Sequence, residues 1–187
     1  GYPASNEVKI TVTPDKTTQA NIALRIPGWT PNAIVKVNGE TMKGVASGEY
    51  YVINRQWNAG DEITLTMEMP AHLVSLNQSV AIERGPIVYA RDSRFDDGFV
   101  DEVVTIPNKD GIIQMKTEEN GKDMWITVSV PMVRGTYNDA STDTRHIRLC
   151  DFASAGSTWD ERIRYRVWLP KLYTPDNPKS GQFQGYW

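Results

Sequence analysis

Hydrophobic and polar residues alternate along most of this chain with a period of two. Val8, Ile10 and Val12 alternate with Lys9, Thr11 and Thr13, and Ala20, Ile22, Leu24 and Ile26 line one side of a second segment with Asn21 and Arg25 among the residues between. Such alternation sends successive side chains to opposite faces of a strand, one toward a core and one toward water. A short segment over 34–37 ends in Asn38-Gly39, a pair suited to a type I′ hairpin turn. A strand over 50–53 follows. Ile63, Leu65, Met67 and Met69 then alternate with Thr64, Thr66 and Glu68, with Ala59-Gly60-Asp61 as the partner turn. Strands this short, each bounded by Gly, Pro, Asn or Asp, predict a small antiparallel sandwich in the first ~70 residues.

A second set of strands begins near Leu73. Segments 80–83 and 87–90 are separated by Arg84-Gly85-Pro86, read as a bulge or as a corner where the chain crosses between sheets. Further strands are expected over 103–106, 112–115, 125–130, 146–149 and 163–169, with long polar loops over 92–101 and 134–144. The tail from Pro170 carries Pro175, Pro178, Gly181 and Gly185 and reads as irregular, wrapping an edge or fraying. No segment keeps an i, i+3, i+4, i+7 apolar stripe over three turns, so under about a tenth of the residues should be helical. The expected fold is an all-β antiparallel sandwich, single or as two small packed sandwiches, divided 1–72 and 73–170 with a tail over 171–187.

Composition narrows the function more than the fold. With 187 residues, 40% of them hydrophobic, the chain can bury one sizeable core or two small ones. A net charge of -3, with Lys and Arg spread along the chain, lacks the footprint of a nucleic-acid binder. No apolar stretch approaches the ~20 residues of a membrane helix. A single cysteine, Cys150, excludes an intrachain disulfide and a thiolate cluster within the chain. The opening Gly-Tyr-Pro is not a signal region.

Several residue types invite chemistry. Asp96, Asp97, Asp101, Glu102, Glu118, Glu119, Asp160 and Glu161 are candidates for the opposed carboxylates of a glycosidase, but each has charged neighbours and reads better as solvated surface. Asp96-Asp97-Gly98 with Asp101-Glu102 offers oxygen ligands for calcium without EF-hand spacing. His72 and His146 are the only histidines; His146 reads as a strand-end residue at the surface or sheet rim. Cys150, beside Leu149, reads as a small buried hydrophobe. Gly85 and Gly98 stand alone and form no phosphate loop. Trp29, Trp57, Trp125 and Trp168 adjoin strands and are expected in the core. Trp159 and Trp187, in loop or tail, suit an interface or a sugar contact.

Longer phrases are more specific. Leu24-Arg25-Ile26-Pro27-Gly28-Trp29, then Val37-Asn38-Gly39, then Arg55-Gln56-Trp57 with Gly60-Asp61, then Ala81-Ile82-Glu83-Arg84-Gly85-Pro86-Ile87-Val88-Tyr89 occur in this order. Together they resemble the region after the catalytic barrel in glycoside hydrolase family 127, the β-L-arabinofuranosidases, once a domain of unknown function. The resemblance covers about residues 1–92 well and 145–170 loosely, where Val167-Trp168-Leu169-Pro170 looks like the region's end. From Cys150-Asp151-Phe152 to Trp159 the chain departs from the family's aromatic-rich phrase.

The resemblance implies a parent whose catalysis lies upstream, in an (α/α) helical barrel with a zinc-bound cysteine nucleophile and glutamates. No stretch here matches those residues. The expectation is therefore an accessory sandwich with no catalytic, cofactor-binding or metal-binding residues of its own. Its expected partner is the parent's catalytic helical barrel, with a homodimer as a further possibility and no nucleic acid or membrane. The resemblance favours a periplasmic or extracellular location. The alternative is a carbohydrate-binding module, recognisable by a groove with two or three exposed coplanar aromatics.

Overall fold

The computed structural model describes residues 1–133, 144–158 and 160–171. The described fold is all-β, its strand ladders antiparallel and its helical content one 3₁₀ turn at Ser93–Phe95. Two compact units divide the chain between Pro70 and Ala71.

The first unit holds β1 (Glu7–Val12), β2 (Thr18–Arg25), β3 (Ala33–Val37), β4 (Glu40–Thr41), β5 (Tyr50–Trp57) and β6 (Asp61–Met67). One sheet runs β1-β6-β3-β4, and β2 pairs with β5 to form the other. Leu24, Ile53 and Trp57 of the small sheet pack with Val35, Val37, Ile63, Leu65 and Met67 of the large one, so the alternation seen in the sequence becomes one shared core. Asn38 (φ 50°) and Gly39 (φ 85°) form the two-residue turn between β3 and β4, both with the positive φ of a type I′ turn.

The turn before Asp61 behaves differently from expectation. Strands β5 and β6 do not pair, so this turn carries the chain from one sheet to the other. Asp61 fastens it. One carboxylate oxygen accepts from the Asn58 amide (2.8 Å), and the other accepts from the side chain of Asn38 (2.8 Å) on the β3–β4 hairpin. The Asn58 amide first, then Asn38, hold the Asp61 carboxyl below its ordinary pKa.

The second unit holds β7 (Ala71–Leu76), β8 (Ser79–Arg84), β9 (Ile87–Asp92), β10 (Asn108–Lys109), β11 (Ile112–Ile113), β12 (Lys116–Thr117), β13 (Thr127–Val133), β14 (Thr144–Asp151), β15 (Tyr165–Arg166) and β16 (Leu169–Pro170). Its sheet runs β10-β11-β7-β8-β9-β14-β13-β12, with β15 on β9 and β16 on β8. Side chains from strands far apart in that order, among them Val80, Tyr89, Ile113, Val130, Ile147 and Leu169, meet in one cluster, which requires the sheet to curl.

Four local expectations are corrected here. Gly85-Pro86 is neither bulge nor sheet-crossing corner: Arg84 pairs with Ile87 across it, and Gly85 (φ 58°) with Pro86 closes a two-residue hairpin. Residues 103–106 form no strand and touch the sheet through isolated bridges at Val104 and Thr105, although Val104 and Ile106 are buried. The expected strand over 163–169 is two short pieces on different neighbours. Trp125 and Trp168 are not core residues, at 50% and 40% exposure. Both sit at bends just ahead of β13 and β16, beside the inward Ile126 and Leu169, and not within a strand whose pairing would bury them. Trp57 is buried as expected, and Trp29 is half-buried against the same core. Trp159, Trp187, residues 134–143 and the tail beyond Lys171 lie outside the described residues.

Candidate functional site

The densest polar chemistry lies at the end of β9, where Arg91 and Asp92 are adjacent and both buried. A buried charge is costly unless it is paired and hydrogen-bonded, and the following loop supplies the partners. The Arg91 guanidinium donates to Asp97 Oδ1 (3.2 Å) and Glu102 Oε2 (3.3 Å). Arg145 of β14 donates to the same Glu102 oxygen and to the Asp97 carbonyl (3.1 Å). The Arg148 amide donates to Asp97 Oδ2 (2.7 Å), and its guanidinium lies 5.0 Å from the centre of the Phe95 ring. Asp101 Oδ1 meets Arg166 Nε at 2.6 Å. Gly98 sits in the middle with φ 126°, and a Cβ there would stand 2.9 Å from Glu102 Oε2 and 3.2 Å from both Arg91 Nη2 and Arg145 Nη2.

The loop that offered calcium ligands in the sequence thus turns its acids onto arginines. Asp97 and Glu102 converge on guanidinium groups, Asp101 on another, and Asp96 caps the 3₁₀ turn with a left-handed backbone (φ 51°). Among the described residues no three His, Cys, Asp or Glu side chains converge in a way that could hold a metal ion. What the network does is pin the 96–102 loop to β9 and β14. An open cleft of about 420 Å³ beside it is lined by Gly98, Phe99, Asp101, Glu102 and Arg145.

Asp92 points to a second network. Its carboxylate accepts from Arg94 Nε (2.8 Å) and Nη2 (2.8 Å), from the Arg94 amide (2.9 Å) and from the Gly156 amide (2.9 Å). Burial alone would raise its pKa, but Arg94 and the two amides together hold it below the usual range. Asp151 at the end of β14 accepts from the Ser154 amide (2.9 Å), the Ser154 hydroxyl (2.7 Å) and the Ile126 amide (3.0 Å). Two buried carboxylates therefore fix the 151–157 turn.

Two of the remaining candidates, Glu118 and Asp160, are also engaged structurally. Glu118 accepts from the Ser129 hydroxyl (2.6 Å), the main reason its carboxyl is held low. Asp160 forms a two-point pair with Arg162 (2.7 and 3.0 Å), which lowers it likewise. Among the described residues Asp61, Asp92, Glu118 and Asp160 are all moved down, the opposite of what a general acid needs at neutral pH. Glu119 and Glu161 are exposed.

Cys150 is fully buried, and burial first, with the nearby Asp92 and Asp151 charges, pushes its thiol up to about 12. A reactive cysteine needs the opposite environment. His146 is exposed on the same strand, four residues away and so about 13 Å distant, too far to serve as its base. His72 Nε2 lies 3.2 Å from Glu83 Oε1 across the β7–β8 pair. Sequence reasoning missed Arg91, Asp92 and Asp151. The signal available was a charged pair directly after the apolar run 87–90, where a buried strand should have continued apolar.

Half-exposed Phe152 and Tyr165 form an aromatic pair, ring centres 6.1 Å apart and planes tilted by 49°. They are not the coplanar platform expected of a binding module. Beside Tyr165 lies an open cavity of about 580 Å³.

Residues 1–69 match the model for the middle domain of GH127 β-L-arabinofuranosidases. Comparison with curated proteins gives no match. Among solved structures, the chain is similar to a GH127 β-L-arabinofuranosidase from Geobacillus stearothermophilus T6, at 25% identity and a TM-score of 0.68, covering 91% of this chain and 29% of that one. It is also similar to the GH127 β-arabinofuranosidase BT3674, at 24% identity and a TM-score of 0.70, over 91% and 30% of the two chains. A glycoside hydrolase at 21% identity has a TM-score of 0.63 over 92% and 31%. The chain thus spans about three tenths of the length of these structures.

Proposed function

We propose that this chain is a non-catalytic β module of a larger arabinofuranoside-cleaving glycoside hydrolase. In this reading residues 1–69 are the middle domain and the second unit follows it, both C-terminal to a helical catalytic barrel that they support, with contacts between copies as a further role. The observation that carries the reading is the combination of coverage and chemistry. Nearly the whole chain matches GH127 enzymes that are more than three times its length, while several of its described acids are spent on fold-making hydrogen bonds. Asp61 ties a hairpin to an inter-sheet turn, Asp97 and Glu102 anchor a loop, and Asp92 and Asp151 fix another. A periplasmic or extracellular location fits a parent acting on plant-type glycans.

Deletion of this region from the parent tests the supporting role. The expected result is a catalytic part that loses helical circular-dichroism signal or aggregates, with turnover lost through kcat. A deletion variant with unchanged melting temperature and unchanged kcat would refute it.

A further inference from the structure

We propose that the cavity beside Tyr165 is a binding subsite for a neutral glycan. This goes beyond the supporting role above and stands or falls without it. The first argument is rigidity. Asp151 holds the start of the 151–157 turn through Ser154, and Asp92 holds its far end through the Gly156 amide. Tyr165, placed by pairing with Asp92 in the β15–β9 ladder, lays its ring directly on Gly156. A Cβ on Gly156 would stand 2.7 Å from two ring carbons, and the residue has φ 64°, so glycine is required twice over. The ring is therefore backed by main chain on one side, yet 49% of the residue remains exposed. Such a fixed, half-exposed ring binds at little conformational cost.

The second argument is the chemistry of the rim. The cavity of about 580 Å³ lies within the usual range for small-molecule sites, ~300–1,000 Å³. Ala155, Gly156 and Tyr165 give it an apolar floor, and Ser157, Asp160 and Glu161 give it oxygen acceptors. Two neighbouring carboxylates alone would favour a cation. Here Asp160 is already paired with Arg162 in two-point geometry, and the Arg164 guanidinium donates to the Glu161 carbonyl. With the Asp160 charge offset by Arg162 and the exposed Glu161 carboxylate able to accept, the rim suits hydroxyl groups, and the ring suits the C–H face of a sugar. Phe152, which does not line the cavity, stands 6.1 Å from Tyr165 at a tilt of 49° and widens the exposed aromatic surface beside it.

The test is titration of the ¹⁵N-labelled chain with L-arabino-oligosaccharides, cello-oligosaccharides and a Lys/Arg-rich peptide, followed by NMR. The expected result is saturable shifts confined to the 152–165 segment with one or both kinds of oligosaccharide. Tyr165→Ala and Phe152→Ala should each weaken binding by about tenfold, and Glu161→Gln should weaken it less. Wild-type shift mapping and the exposed Glu161→Gln variant keep the test decisive if Tyr165→Ala does not fold. Three results would overturn the proposal: no saturable binding of any oligosaccharide, shifts mapping elsewhere, or binding of the cationic peptide alone.

Discussion

Trp57 offers the sharpest test of how the first unit is held together. Only 1% of the residue is exposed, and it packs with Leu24, Ile53, Val35 and Ile63 between the two sheets. Its indole Nε1 donates to the Ala20 carbonyl (3.1 Å), and the Arg55 guanidinium lies 5.2 Å from the ring centre. Trp57→Ala empties a buried aromatic site whose surroundings relax only in part, a loss of about 3–5 kcal/mol. Trp57→Phe keeps most of the apolar area and loses chiefly the indole donor, about 1 kcal/mol. Trp125→Ala is the control: half-exposed, it should cost about 1 kcal/mol or less. Urea unfolding followed by far-UV circular dichroism reads these differences. For an m-value of about 1–2 kcal/mol/M, Trp57→Ala should lower the midpoint of the affected transition by on the order of 2 M. If Trp57→Ala and Trp125→Ala shift the midpoint equally, the assignment of Trp57 as the link between sheets is wrong.

Other expectations follow from single contacts. Gly39→Ala meets open space at φ 85° and should cost about 1 kcal/mol, whereas Gly156→Ala adds a collision with the Tyr165 ring and should cost clearly more; paired urea midpoints decide. Asp92 is held below its unfolded pKa of about 3.9, so its contribution is complete above that pH and is lost as pH falls through the lower folded value. The stability gap between wild type and Asp92→Asn should therefore be constant from about pH 6 to 8 and shrink below about pH 4; a gap independent of pH down to acid unfolding would contradict this. Cys150, with its thiol pushed up to about 12 and no exposed surface, should resist a thiol reagent at pH 8 in the folded chain and react fully in denaturant; rapid labelling of the native protein would contradict its burial.

The first unit was readable from its sequence because local and global signals agree there. Val8, Ile10 and Val12, or Ile63, Leu65 and Met67, sit on one face of strands whose other face is more exposed, and Asn38-Gly39 admits essentially one tight turn. The second unit was less legible because β13 is covered on both faces along its length and β14 is so from Leu149 to Asp151, which erases alternation there, and because several of its strands are two residues long. Arg84-Gly85-Pro86 misled because Gly and Pro serve bulges, corners and hairpins alike, and only the Arg84–Ile87 register tells them apart. The charged networks were hidden for another reason. Arg91 and Arg145 are separated widely in sequence and meet Glu102 only through the β9–β14 pairing, so no local motif announces them.

The central claim is that this chain supports a glycosidase without being one. Its most direct test is hydrolysis of an aryl β-L-arabinofuranoside, with and without zinc and reductant, by the purified chain and by its full-length parent at equal molarity. The account predicts turnover by the parent and none by the chain. Turnover by the chain that persists through purification and disappears when Asp97, Glu102, Asp160 or Cys150 is replaced would contradict it.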